Sequence, residues 1–209
     1  MNYNAMQKLF VSLVLAAGLL AGFAAPASAQ TEGTVLPELI PHLQFMGLPI
    51  EGSPSAFVDG LKQKGFTYVE RKGSVHVLTG QFAGQPGCAV GVSTKENFIW
   101  KVAVSFPCQA SWPAMKAQYD KFKGNYTSKY QVQPESVEKL SARFREGTGQ
   151  EQWGFEDESS RWQSTFYLED GFILLAVRYN RSQSNLFLVV EYVDKVNFMV
   201  KEQIDMEDI

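Results

Sequence analysis

The chain has 209 residues, with 19 Lys and Arg against 22 Asp and Glu for a formal charge of −3, and it carries 15 Phe, 8 Tyr and 4 Trp. A mildly acidic balance lacks the basic footprint of a nucleic-acid binder, and the aromatic content predicts a core dominated by ring packing. Two histidines and two distant cysteines do not supply the three or four ligands a zinc site needs, so neither a metal nor another cofactor is expected.

Residues 1–29 read as a secretory signal peptide: Lys8 supplies the positive region, Leu9 to Phe23 the apolar core, and Ala27-Ser28-Ala29 a small-x-small cleavage site. Gly18, Gly22 and the immediate Pro26 make a membrane anchor the weaker reading, and no later run is long enough to span. The mature chain is expected to begin near Gln30, in a periplasm or outside the cell, without a membrane span. Losing Lys8 leaves 18 basic against 22 acidic side chains, or about −4. About 180 residues suit a single domain.

Residues 30–41 lack periodicity and read as a tether, and the domain then runs over 42–209. Leu43 to Ile50 reads as a strand. Ser53 and Pro54 cap and open a helix that carries the i,i+4 pair Phe57 and Leu61 and stops at Gly65. Phe66 to Arg71 and Val75 to Phe82 are strands joined through Lys72-Gly73. Gly80 to Gly91 is rich in glycine but lacks the helix N-terminus a phosphate-binding loop uses.

Gly87 to Cys108 reads as a central hairpin about Lys95-Glu96-Asn97. Cys88, Val90 and Val92 alternate on one arm, and Phe98, Trp100, Val102, Val104, Phe106 and Cys108 on the other. Only an even sum of opposed positions places both sets on one face. A sum of 196 opposes Cys88 to Cys108 at disulfide distance; a sum of 194 suits the turn better and leaves them diagonal and too far apart. An oxidising compartment favours 196 and a Cys88–Cys108 disulfide, the alternative being two buried cysteines acting as small apolar groups.

Ser111 caps a second helix reaching Tyr130, with Trp112, Met115, Tyr119, Phe122 and Tyr126 as a stripe facing a sheet. Gln131 to Arg161 is hard to read: Glu135 to Arg145 fits strand or helix, and Gly147 to Gln150 fits a loop. Asp170-Gly171 marks a hairpin opposing Leu168 to Ile173 and Phe166 to Leu175. Leu186 to Val193 is another strand, Asp194 to Glu202 a short last helix, and Asp205 to Asp208 a frayed end. The order predicts an α+β fold of two helix-plus-antiparallel-sheet repeats, 42–108 and 109–209, with the two helices on one sheet face. The other face is left to the segment 131–161 or to a partner molecule, a homodimer through the sheet included.

HLQFMGLPIEGSPSAFVDGLKQKGF, FPCQASWPAMKAQYDKFKGNYTSKY and EYVDKVNFMV resemble segments of small, uncharacterised exported proteins of Bacteroides-type gut bacteria. The resemblance brings no activity with it. The helix-then-sheet plan also resembles the tandem-repeat beta-lactamase inhibitor proteins and the small outer-membrane assembly lipoproteins that share their repeat. A single candidate disulfide departs from the inhibitors, and the missing lipobox cysteine from the lipoproteins.

Chemistry is sparse. His42 opens the first strand and His76 lies within one, both structural positions rather than bases beside a nucleophile. Glu151, Glu156, Asp157 and Glu158 offer carboxylates for a glycosidase-type pair, though a charged stretch beside Gly154 reads more simply as a solvated loop. The reading is therefore a binding or inhibitor-like protein that recognises a protein or envelope component through a sheet face or loops. Trp153, Trp162, Tyr167 and Tyr179 are the candidate anchors, since Trp and Tyr dominate binding hot spots. A carboxylate-based envelope hydrolase is the alternative.

Overall fold

The computed structural model describes residues 41–207; the predicted signal peptide, its cleavage site and the tether lie outside them, apart from Pro41. Leu43 to Ile50 is not one strand but a tight hairpin of β1 (Gln44–Phe45) and β2 (Leu48–Pro49). Met46 and Gly47, with φ of 52° and 76°, form the two-residue turn that reverses it. The hairpin is fastened by Asp194, which is fully buried and accepts from the Leu43 N–H at 2.8 Å. Asn197 adds a side-chain N–H to the Ile50 carbonyl at 2.8 Å.

Helix α1 (Pro54–Gln63) starts as its sequence predicts, with Ser53 Oγ accepting from the Ala56 N–H, and stops before Gly65 at φ 92°. It buries Phe57, Val58 and Leu61 and packs against the sheet at β3 (Thr67–Lys72) and β5 (Gln85–Lys95). Between them runs β4 (Val75–Phe82), and β6 (Phe98–Ser105) completes the first meander. The β3–β4 turn is Gly73-Ser74, one residue later than predicted, because Lys72 opposes Val75.

Helix α2 (Trp112–Tyr130) is capped by Ser111 and buries all five residues of its predicted stripe. The hard-to-read segment resolves into an exposed edge strand, β7 (Glu135–Lys139), and a six-residue helix, α3 (Glu151–Glu156). Strands β8 (Arg161–Tyr167), β9 (Gly171–Asn180) and β10 (Asn185–Asp194) follow. The β8–β9 register opposes Phe166 to Ile173, not to Leu175, and the Leu168 N–H bonds the Gly171 carbonyl. Glu169-Asp170 is therefore the turn. Gly171 serves packing instead: a Cβ there would lie 2.2 Å from the Val193 carbonyl oxygen of β10.

All eight longer strands form one antiparallel sheet in the order β3-β4-β5-β6-β10-β9-β8-β7. Two meanders, each preceded by a helix, thus meet where β6 pairs with β10. The fold is mixed α and β with the sheet predominant. Because opposed residues in a ladder share a face, Leu78, Val90, Val104, Val190, Leu175 and Ser164 form one transverse row, and each is fully buried. Helix α2 covers this inner face: Phe122 meets Phe106 at 4.6 Å between centroids, and Tyr126 meets Phe166 at 5.6 Å.

The central hairpin takes the smaller sum, 194, with Ala89 opposite Ser105 and Val92 opposite Val102. The expected disulfide is absent, and Cys88 and Cys108 are free thiols. The register explains it, since β6 ends at Ser105 and Cys108 lies beyond the ladder, its Sγ 2.8 Å from Gln183 Oε1. Cys88 is buried, which pushes its thiol pKa up. The uniform alternation of β6 is also interrupted. Ser93 opposes Lys101 and Thr94 opposes Ile99, so Trp100 is the extra residue of a bulge. Ile99 therefore turns inward and is fully buried, while Trp100 leaves the face of Val102.

Candidate binding face

Among the described residues, a helix covers the outer face beside the bulge. Helix α4 (Lys195–Glu207) is longer than predicted and crosses β6, β9 and β10 on the side away from α2. Its Phe198 packs between Trp100 and Phe172, at 6.1 and 6.3 Å between centroids. The Lys201 ammonium lies 5.3 Å from the centre of the Trp100 ring, and the Lys101 ammonium 5.1 Å from it. Asp205 is not frayed. It pairs with Lys95 at 2.7 Å and with Lys201, and these two partners hold its carboxyl below the usual range. The predicted second cover was 131–161 or a partner, but α3 lies on the inner side, where Phe155 packs on Trp112.

Helix α4 occupies one end of the outer face, over the row that includes Ser93, Lys101, Val193 and Phe172. The next row carries Glu70, Val77, Gly91, Ala103, Glu191, Leu174, Thr165 and Glu135, with Lys101 reaching Glu191 at 3.6 Å. The row beyond it crosses all eight strands as Thr67, Thr79, Ala89, Ser105, Val189, Ala176, Gln163 and Val137. None of these eight is charged, and only Val189 and Ala176 are buried. Side chains this short leave the pleated backbone close to whatever lies on it. The exposed side of α4 adds Met199, Val200 and Met206. The sequence held a signal for this face: in β5 and β6 the odd positions Ala89, Gly91, Ala103 and Ser105 are small while the even ones are large and apolar.

The predicted anchors are not gathered there. Trp162 is a core residue, edge-on to Trp112 at 4.9 Å, and presents almost no surface to a partner. Tyr179 is half-buried against the same core. Trp153 is 45% exposed on α3 beside Phe144. Tyr167 is 41% exposed and alone belongs to the outer face, next to Phe172 at the end of the α4 row.

The histidines and the carboxylates singled out by the sequence are either engaged within the fold or open to solvent. His42 Nδ1 lies 3.1 Å from Asp194 Oδ1 and its Nε2 lies 3.5 Å from Glu51, so both ring nitrogens face carboxylates. His76 packs on Tyr68, and its burial with the nearby Arg71 charge lowers its pKa. Glu151 is buried and accepts from the Gly147 N–H at 2.6 Å, whereas Asp157 accepts from the Ser159 hydroxyl at 2.6 Å. Glu156 and Glu158 face solvent. A hollow of about 170 Å³ at the edge of the inner face is lined by Phe82, Phe122, Asn125, Tyr126, Lys129 and Tyr192, among others, and holds no carboxylate. Its two phenols bond each other at 2.5 Å, and burial raises the pKa of both. Among the described residues no cluster of three metal-ligating side chains occurs, and no helix is long and apolar enough to cross a membrane. No protein-family model, curated protein or solved structure matches the chain.

Proposed function

We propose that the mature protein is an exported binding or inhibitor-like protein that recognises a protein of the cell envelope through the outer face of its sheet. The observation that carries this reading is the uncharged row of short side chains that crosses all eight strands and lies clear of the α4 row. Covering such a row takes no charge out of water, and elsewhere on the same face Met199 and Val200 on α4 and Tyr167 at the end of the α4 row supply the larger contacts an interface core needs. A helix followed by four sequentially adjacent antiparallel strands, twice over, with α3 inserted between β7 and β8 in the second half, supports the two-repeat plan, with its halves joined at β6 and β10. The hydrolase alternative lacks support, because Glu151, Glu156, Asp157 and Glu158 do not converge on a cavity.

The test is capture from the envelope fraction of cells that make the protein, with wild type compared against Ala89→Arg and Ala103→Arg. A partner held by wild type and lost by both variants at unchanged folding is the expected result. Capture unaffected by either arginine would refute recognition through this face.

A further inference from the structure

The two edges of the sheet differ. Strand β3 carries a bulge between Tyr68 and Glu70, which twists its edge, while β7 pairs with β8 without any shift from Glu135 to Lys139. All five residues of β7 are exposed, and Val137 at its centre is 45% exposed. Its inward-facing side is already committed: Glu138 accepts from Lys123 at 2.6 Å and from the Tyr119 hydroxyl at 3.2 Å. Its outward-facing side carries Glu135 and Lys139 to either side of Val137, on the same face as the uncharged row.

The strand Glu-Ser-Val-Glu-Lys is complementary to itself. We propose that a second copy of this chain adds to the β7 edge about a two-fold axis at Val137, so that two sheets continue as one. In that register Val137 opposes its own copy and Glu135 opposes Lys139 of the second chain, twice over. A shift of two residues one way would oppose Glu138 to Glu138, and a shift the other way would oppose Glu135 to Val137 and Lys139 to Gln133. Neither pairs opposite charges, and shifts by one residue would put outer-face side chains against inner-face ones. Pro134, which has no N–H to give, bounds the ladder at its start. The uncharged row, which ends at Val137, would continue into the second copy. This dimer stands whether or not the outer face binds a partner.

A five-residue ladder is a small interface, so the dimer dissociates on dilution. Sedimentation equilibrium of the purified protein at low salt, from about 1 μM to about 1 mM, should show a monomer–dimer equilibrium. Glu135→Lys and Lys139→Glu should each weaken it about tenfold or more, since each turns two attractive pairs into repulsive ones. An equimolar mixture of the two variants should dimerise again, because every opposed pair across the axis is then opposite in sign. Circular dichroism confirms folding of each variant; Glu135→Gln replaces one that fails, with a smaller weakening expected. A wild-type monomer at every concentration, a dimer indifferent to both reversals, or no recovery on mixing would each overturn the proposal.

Discussion

The two faces of the one sheet are built on opposite rules. The inner face stacks large apolar side chains from adjacent strands under α2, and its polar atoms are nearly all paired among themselves, as in the Tyr126–Tyr192 hydroxyl pair and the Tyr119–Ser164 contact at 2.6 Å. The outer face alternates with it residue by residue, yet beyond the α4 row it carries mostly short or polar side chains. A sheet covered on one side needs only that side for its core. The composition of the other side is then free to serve contact, and substitutions on the two faces should separate stability from recognition.

The largest effect is expected from Phe166→Ala, which empties a fully buried site beneath Tyr126. Denaturant unfolding should show a loss of about 3–5 kcal/mol. Next comes Tyr126→Phe, which leaves the buried Tyr192 hydroxyl without its partner and should cost about 1–3 kcal/mol, whereas Tyr126→Phe with Tyr192→Phe should restore most of it. The same pair sets an alkaline limit. Burial raises both folded-state pKa values, so their contribution is intact below the unfolded value of about 10 and is lost as pH rises above it. Stability measured from pH 9 upward should fall less steeply in the double variant.

On the outer face, Trp100→Ala removes the ring that packs on Phe198 and lies beside Lys201. A loss of about 1–2 kcal/mol is expected, with hydrogen exchange accelerated in α4 and unchanged in α2. Uniform acceleration in both helices would show that α4 belongs to the core. The smallest effect belongs to Ala89→Arg on the open row, within about 0.5 kcal/mol of wild type.

The inner face was the legible one. Serine caps at Ser53 and Ser111 and the five-residue stripe of α2 follow from local rules that the tertiary structure did not override. What escaped prediction depends on contacts between distant segments. The bulge at Trp100 is invisible to an alternation that continues unbroken through Phe98, and the ring it redirects meets Phe198, nearly a hundred residues later. Asp170-Gly171 looked like a hairpin turn, but the glycine answers to the carbonyl of Val193. In β7 a five-residue strand with three charges carries no hydrophobic alternation, so only its pairing with β8 defines it. The aromatic anchors were chosen by residue type, and type does not distinguish Trp162, buried against Trp112, from Tyr167, open on the far face.

The most direct measurement of the central claim is site-specific photo-cross-linking in cells that make the protein. A photoreactive side chain is placed at Ala89 on the open row of the outer face or, as control, at Lys121 on the exposed side of α2. A discrete adduct is expected from position 89 and none from position 121. Adducts from position 121 alone would contradict the central claim, because recognition would then lie on the helical side and the open row of the sheet would have no part in it.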